Sequence, residues 1–279
     1  MNRLPPDKAG QLSRLHTVGL LLIGQCLLML GMAHGQTPQG TGQAVADDRR
    51  SGLFYMSPAA RSLQLDEGQN PAMLAVAQGR ALWHTPAAQA GQSCASCHGE
   101  LDQSMRAVAA RYPAWDERLG RVLSLRDRLS SCRVEHQQAP AWPRESSQAL
   151  ALEAAVSLAS RGSLIRVPDH APLDELQRAG ERLWRQPFGQ LALSCAQCHD
   201  DLAGQRLGGS PIPQAHPTAY PVYRLQWEAV GSLERRIRGC LTGVRAEPFP
   251  AGDGAYLALE AYLMRRAAGM PLEGPGVRP

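Results

Sequence analysis

The sequence predicts an all-α chain built from two similar helical units in tandem, and three observations carry that prediction. The 279 residues are 44% hydrophobic but only 5% aromatic, a balance that favours aliphatic, alanine-rich helices over an aromatic-rich β-sandwich. C-x-x-C-H occurs twice, as Cys94-Ala-Ser-Cys97-His98 and Cys195-Ala-Gln-Cys198-His199. The surroundings of the two copies also repeat, which marks a duplicated structural unit.

Residues 1–35 read as a signal peptide. Arg3, Lys8 and Arg14 precede a mostly apolar run from Val18 to Met32, and Ala33-His34-Gly35 is a small-x-small exit. That run is shorter than a membrane span, so no stable anchor is expected after cleavage and a periplasmic location follows. Cys26 lies inside the leader. The formal net charge of the whole chain is +4. Loss of the leader leaves about +2, too little to drive nucleic-acid binding.

Residues 36–70 form an N-terminal extension that begins with the Pro/Gly-rich stretch Gln36 to Asp48. The first unit spans 71–165. It opens on a candidate helix from Ala72 to Trp83 and closes on one from Glu145 to Ser160. Arg161 to Pro172, with Pro168, reads as the linker. The second unit, 166–279, opens on Leu173 to Trp184 and closes on Gly254 to Ala268, where Leu257, Ala261 and Met264 form an apolar stripe.

Corresponding residues fix the alignment of the two units. Gly79, Leu82, Trp83 and the first C-x-x-C-H match Gly180, Leu183, Trp184 and the second at an offset of 101. Tyr112-Pro113 and Cys132 match Tyr220-Pro221 and Cys240 at 108, and Ala151-Leu-Glu-Ala154 matches Ala258-Leu-Glu-Ala261 at 107. The seven extra residues of the second unit fall near Gly208-Gly-Ser-Pro-Ile-Pro213, which is loop chemistry. Gly79 and Gly180 each cost a helix about 1 kcal/mol relative to Ala, a cost that a close helix crossing would justify.

Six cysteines remain after the leader, and in an exported protein an even number suggests disulfides. Four of them instead sit in C-x-x-C-H. There two thiols form thioethers with the vinyl groups of a haem, and the adjacent histidine supplies an iron ligand. Cys94 and Cys97, and Cys195 and Cys198, are therefore candidate attachment sites for two haem c groups, with His98 and His199 as iron ligands. Each unit then becomes a cytochrome c-like domain. A zinc site would need further ligand pairs.

The far side of each iron stays open on residues alone. Met105 follows His98 too closely to cross a macrocycle, whereas Met264 and Met270 are at a plausible distance for the second haem. His136 and His170 are rivals for the first. Cys132 and Cys240, one per unit at equivalent places, explain the pairing economically as thiolate ligands. A disulfide between them or two buried structural thiols are the alternatives.

Around Cys240 the chain reads Ser232-Leu-Glu-Arg-Arg-Ile-Arg-Gly-Cys240, with Arg245 following. A helix over Ser232 to Gly239 puts Arg236 one turn before Cys240 on the same face, with Arg235 and Arg238 adding charge. Cations lower a thiol pKa and attract oxyanions, although a solvated basic face would read the same. The first-unit counterpart keeps Arg128 but carries Asp127 as a neighbour, which points to the second haem as the reactive one.

Ile212-Pro-Gln-Ala-His216-Pro-Thr-Ala-Tyr-Pro-Val-Tyr-Arg-Leu-Gln-Trp227, the Arg-Arg-Ile-Arg-Gly-Cys240 string and Arg245-Ala-Glu-Pro-Phe249 closely resemble the SoxA family of dihaem cytochrome subunits. The likeness is densest from about Leu173 onward. It implies His98 and Cys132 as axial ligands of haem 1, and His199 and Cys240 as those of haem 2. It implies Cys240 as the active-site sulfur, found in the family as a cysteine persulfide, and Arg236 as the substrate-binding arginine. It further implies a heterodimer with a monohaem cytochrome, SoxX, and oxidative joining of thiosulfate to a cysteine of the carrier SoxYZ. A downstream cytochrome c would accept the electrons. Two rival functions remain at this point. A plain dihaem electron carrier would show no substrate chemistry at Cys240, and a dihaem peroxidase would need a displaceable iron site that two cysteine ligands fit poorly.

Overall fold

A computed structural model describes residues 47–87 and 91–279. The leader assigned to 1–35, and all but the last two residues of Gln36–Asp48, lie outside them. Described residues of the extension include a single 3-10 turn at Gly52–Tyr55 and helix α1 (Pro58–Leu65), which opens with the Ser57 hydroxyl accepting from the Ala60 N–H. The first unit follows as α2 (Ala72–His84), α3 (Cys94–His98), α4 (Leu101–Ser104), a hairpin of β1 (Ala114–Asp116) and β2 (Arg121–Leu123), α5 (Leu125–Glu135) and α6 (Ser147–Ala159). The second begins with α7 (Ala171–Arg185), then a π-type turn at Gln197–Asp201 and a hairpin of β3 (Arg206–Leu207) and β4 (Ser210–Pro211). Strands β5 (Val222–Arg224) and β6 (Ala229–Gly231), helices α8 (Leu233–Gly243) and α9 (Gly254–Arg266), and strand β7 (Gly276–Arg278) complete it.

The repeat is exact where the hairpin meets the cysteine helix. β1, β2 and α5 have the bounds of β5, β6 and α8 less 108, and Ala114 faces Leu123 as Val222 faces Gly231. Ser124 and Ser232 cap the two helices, each accepting a backbone N–H three residues on.

Both central glycines stand at helix crossings. A Cβ on Gly79 would lie 2.0 Å from the Ala151 carbonyl oxygen, and one on Gly180 the same 2.0 Å from that of Ala258. Thus α2 packs backbone to backbone on α6, and α7 on α9. The Ala-Leu-Glu-Ala repeat supplies the small residue each crossing requires.

Helices dominate, but the expectation of an all-α chain needs correction. Three small sheets are present among the described residues: β1–β2, β3–β4, and a three-stranded sheet in which β5 lies between antiparallel β6 and parallel β7. These strands have two or three residues, too few for an alternating pattern to register in sequence. The glycine-rich insertion read as loop is itself a tight hairpin, turned by Gly208 at φ +57°.

The linker read at Arg161 to Pro172 is a packing element. Ile165 is fully buried with Ala110, Met264, Ala267, Met270 and Leu272, and its N–H donates to the Met270 carbonyl at 2.9 Å. Residues 47–279 therefore pack as one unit. A charged layer also joins the halves. Arg126 pairs with Glu145 and Glu153, and Arg144 with Asp127 and Glu234, around a cavity of about 400 Å³ that Glu260 also lines.

Candidate active site

Each C-x-x-C-H begins on a serine cap. Ser93 accepts from the Ser96 N–H at 3.1 Å and Ser194 from the Gln197 N–H at 3.2 Å, so the first cysteine of each motif opens a helical turn. Cys94 packs on an apolar cluster that includes Val76, Trp83, Leu101, Met105, Leu125 and Leu152. Cys195 packs on Trp184, Leu259 and Leu263, with Leu233, Ile237 and Tyr262 alongside. Each motif histidine stands beside the repeated tryptophan, with ring centres 5.8 Å apart for Trp83–His98 and 5.6 Å for Trp184–His199. The indoles are held in turn, Trp83 Nε1 donating to the Gly99 carbonyl and Trp184 Nε1 to Asp200, both at 2.8 Å.

His199 lies 2.6 Å through Nδ1 from the carbonyl oxygen of Pro213. A carbonyl can only accept, so Nδ1 carries the proton and Nε2 keeps its lone pair for a metal. Burial, the larger cause, and the Arg236 and Arg266 charges push the ring below the ordinary histidine range, which keeps it neutral. Pro213 belongs to the seven-residue insertion. His98 is exposed and has no comparable bond among the described residues.

Cys132 and Cys240 occupy one helical face each, in the same pattern. Leu125, Leu129 and Cys132 on α5 follow i, i+4, i+7, and so do Leu233, Ile237 and Cys240 on α8. The two apolar residues of each set join the cluster that holds the motif cysteine, so each further thiol faces its own C-x-x-C-H. Each facing thiol opposes ionisation of the motif cysteine it looks onto. Burial first, then Cys240, pushes Cys195 up to about 12, and burial and Cys132 raise Cys94 in the same way. All six cysteines among the described residues are free, so no disulfide joins Cys132 to Cys240. Met264 and Met270 belong to the core around Ile165, away from the Cys195 cluster. His170 stacks on Trp115 at 4.7 Å.

The residues present fit a covalently held porphyrin at both motifs. Paired thiols, a histidine beside an apolar wall, and a soft sulfur donor on the facing helix form the donor set such a group requires. Of the four arginines read near Cys240, three are engaged by other groups or lie exposed. Arg235 lies over the Trp227 ring at 4.3 Å, Arg238 donates to the Phe249 carbonyl at 3.0 Å, and Arg245 is exposed. Arg236 is the guanidinium left one turn before Cys240.

A family model described as SoxA/TsdA, cytochrome c domain, matches residues 78–165 and 179–272. The chain belongs to this SoxA/TsdA family. Its helical cytochrome c-like fold and its bound haem c follow from that membership. The L-cysteine S-thiosulfotransferase subunit SoxA of Rhodovulum sulfidophilum is 32% identical over 232 residues, which are 83% of this chain and 81% of the relative. The corresponding subunit of Pseudaminobacter salicylatoxidans is 33% identical over 233 residues, 83% and 82%. Among solved structures, the crystal structure of SoxXA from P. pantotrophus superposes with a TM-score of 0.80 at 32% identity, covering 83% of this chain and 87% of that one.

Two features beside the second motif carry no signal that the residue types alone announce. The Pro213 carbonyl was invisible because a backbone acceptor has no residue signature. Arg224 on β5 was legible in principle, since it takes the place of Asp116 at the offset of 108 that aligns the cysteines.

Proposed function

We propose that this chain is the dihaem cytochrome subunit of an L-cysteine S-thiosulfotransferase, which joins thiosulfate oxidatively to a cysteine of a SoxYZ-type carrier in the periplasm. The observation that carries it is Cys240. It faces Cys195 from α8, one turn after Arg236, in the half whose motif histidine is locked to Pro213. The enzyme name borne by the Rhodovulum and Pseudaminobacter relatives supports the reading, and the SoxXA complex supports a heterodimer with a SoxX-type monohaem cytochrome.

In this reading residues 71–165 and 166–279 are tandem cytochrome c-like domains. Cys94 and Cys97 attach one haem c, with His98 and Cys132 as its ligands. Cys195 and Cys198 attach the other, with His199 and Cys240. The haems, when bound, supply the one-electron acceptors that the oxidation needs, in series with a downstream cytochrome c. Arg236 holds the thiosulfate dianion by charge and by its planar fork, which needs no proton to be moved. The outer sulfur of thiosulfate bonds to Cys240 Sγ as two electrons leave. The carrier thiolate then attacks that sulfur, and Cys240 departs as thiolate. One sulfur–sulfur bond is broken and one is made in this second step, so it requires no further oxidant.

Mass spectrometry of the Cys240 peptide, with thiosulfate and with or without carrier, tests this. The expected result is a thiosulfate-derived adduct on Cys240 that passes to the carrier. An unmodified thiol under both conditions, with normal turnover, overturns it. Among the described residues no helix is long and apolar enough to cross a membrane.

A further inference from the structure

The two halves place four site residues at one offset and change a single one of them. Tyr112, Asp116, Arg128 and Cys132 stand on or beside β1 and α5, and Tyr220, Arg224, Arg236 and Cys240 on or beside β5 and α8. Because strand bounds, helix bounds and strand register coincide, the first half shows which positions meet in the second. Arg128 Nη1 donates to Asp116 Oδ2 at 2.7 Å, so the arginine before Cys132 is neutralised by a carboxylate of its own hairpin.

In the second half that carboxylate is a guanidinium. Arg224 Nε is buried with no hydrogen-bond partner, and its Cζ lies 5.2 Å from the centre of the Trp227 ring, which holds the group half-buried. No carboxylate within ion-pair distance answers either arginine among the described residues, whereas Arg128 has Asp116. Burial first, then the Arg236 charge, pushes Arg224 below the ordinary arginine range. Two cations held together in a half-dry place repel one another more than they would in water, and a dianion between them removes that repulsion.

We propose that Arg224 is a second anion-binding residue and forms with Arg236 a two-guanidinium clamp for a sulfur oxyanion at Cys240. The proposal rests on Cys240 as the reacting sulfur. Two planar forks offer enough donors for a tetrahedral sulfonate end with three oxygens, and a charge of +2 selects a dianion over a monoanion or a neutral thiol. In the first half Asp116 occupies the oxyanion's place, which keeps the substrate from Cys132.

Arg224→Asp tests it by giving the second half the first half's pairing, in a hairpin and helix already shaped for that pair. The assay uses the haem-loaded complex with thiosulfate as probe. KM and the calorimetric dissociation constant should both rise about tenfold or more, with kcat at saturation and the haem absorption spectrum little changed. Arg224→Gln, which removes the charge without a new ion pair, should do the same and serves if the aspartate variant fails to load haem. Arg236→Ala is run alongside. Weakened thiosulfate binding in Arg236→Ala with unchanged binding in both Arg224 variants overturns the clamp and leaves the Cys240 reading standing. Unchanged binding in all three overturns the clamp and the anion-binding role of Arg236 together, while the Cys240 adduct seen or not seen by mass spectrometry decides the Cys240 reading separately.

Discussion

Replacing Gly180 by alanine should destabilise the second half although alanine is the better helix former. The new methyl carbon would lie 2.0 Å from the Ala258 carbonyl oxygen, 2.6 Å from its carbon and 2.7 Å from Tyr262 Cβ. Two of those contacts are with backbone, so no side-chain rotation relieves them, and α7 and α9 must separate by roughly 1 Å. A gap of that size forfeits a quarter to a half of each dispersion contact across the crossing. The helices carry Trp184, Leu259 and Leu263, the wall behind Cys195. Overpacking of this kind costs about 1–3 kcal/mol or more, against about 1 kcal/mol gained in helix propensity. A net loss of about 1–2 kcal/mol is expected, read as a lower urea midpoint of the haem-loaded protein with an unchanged slope. Gly79→Ala, with the same 2.0 Å and 2.6 Å approaches to Ala151, should lose a similar amount. A Gly180→Ala protein as stable as the parent, or more stable by the propensity difference, would refute the backbone-to-backbone crossing.

Burial first, then Glu153, pushes Glu260 up to about 8. Its folded pKa exceeds the unfolded 4.5, so the folded state holds a proton that the unfolded state has released, and stability falls as pH rises from about 4.5 to about 8. Glu260→Gln should flatten that slope and gain on the order of 2–4 kcal/mol at pH 8. Parallel stability curves for parent and variant would contradict it. Cys240→Ala should abolish thiosulfate turnover with both haems still attached, whereas Cys132→Ala should alter the spectrum of one haem and leave thiosulfate binding unchanged. Loss of thiosulfate binding in Cys132→Ala alone would transfer the chemistry to the first half. Trp184→Phe removes the 2.8 Å bond to Asp200 and should cost roughly 1 kcal/mol, checked by thermal melting with an unchanged midpoint as the refuting result.

The helical frame was legible because it is written twice. Gly79 and Gly180 made sense only as close crossings, and the Ala-Leu-Glu-Ala strings supplied the partner surface at the matching offset. The helix before Cys240 was legible as Ser232 to Gly239, whereas the serine caps and the i, i+4, i+7 spacing that ends on Cys132 and Cys240 emerge only with the structure. The hairpins were not, since three-residue strands leave no period to read and their pairing is set by tertiary packing. The charged layer around Arg126 and Glu260 was hidden for another reason. Each of its residues reads as an ordinary surface charge until α5, α6, α8 and α9 bring them together. Arg224 was the avoidable omission, because comparing the halves residue by residue exposes one reversed charge among matched neighbours.

The central claim is that the sulfur at position 240 and His199 share one haem iron. Near-infrared magnetic circular dichroism of the purified, oxidised holoprotein reports the ligand pair at each low-spin haem. Histidine with cysteine sulfur is expected at both, with loss of that signature from one haem alone in Cys240→Ala. A methionine or second imidazole opposite His199 would contradict it.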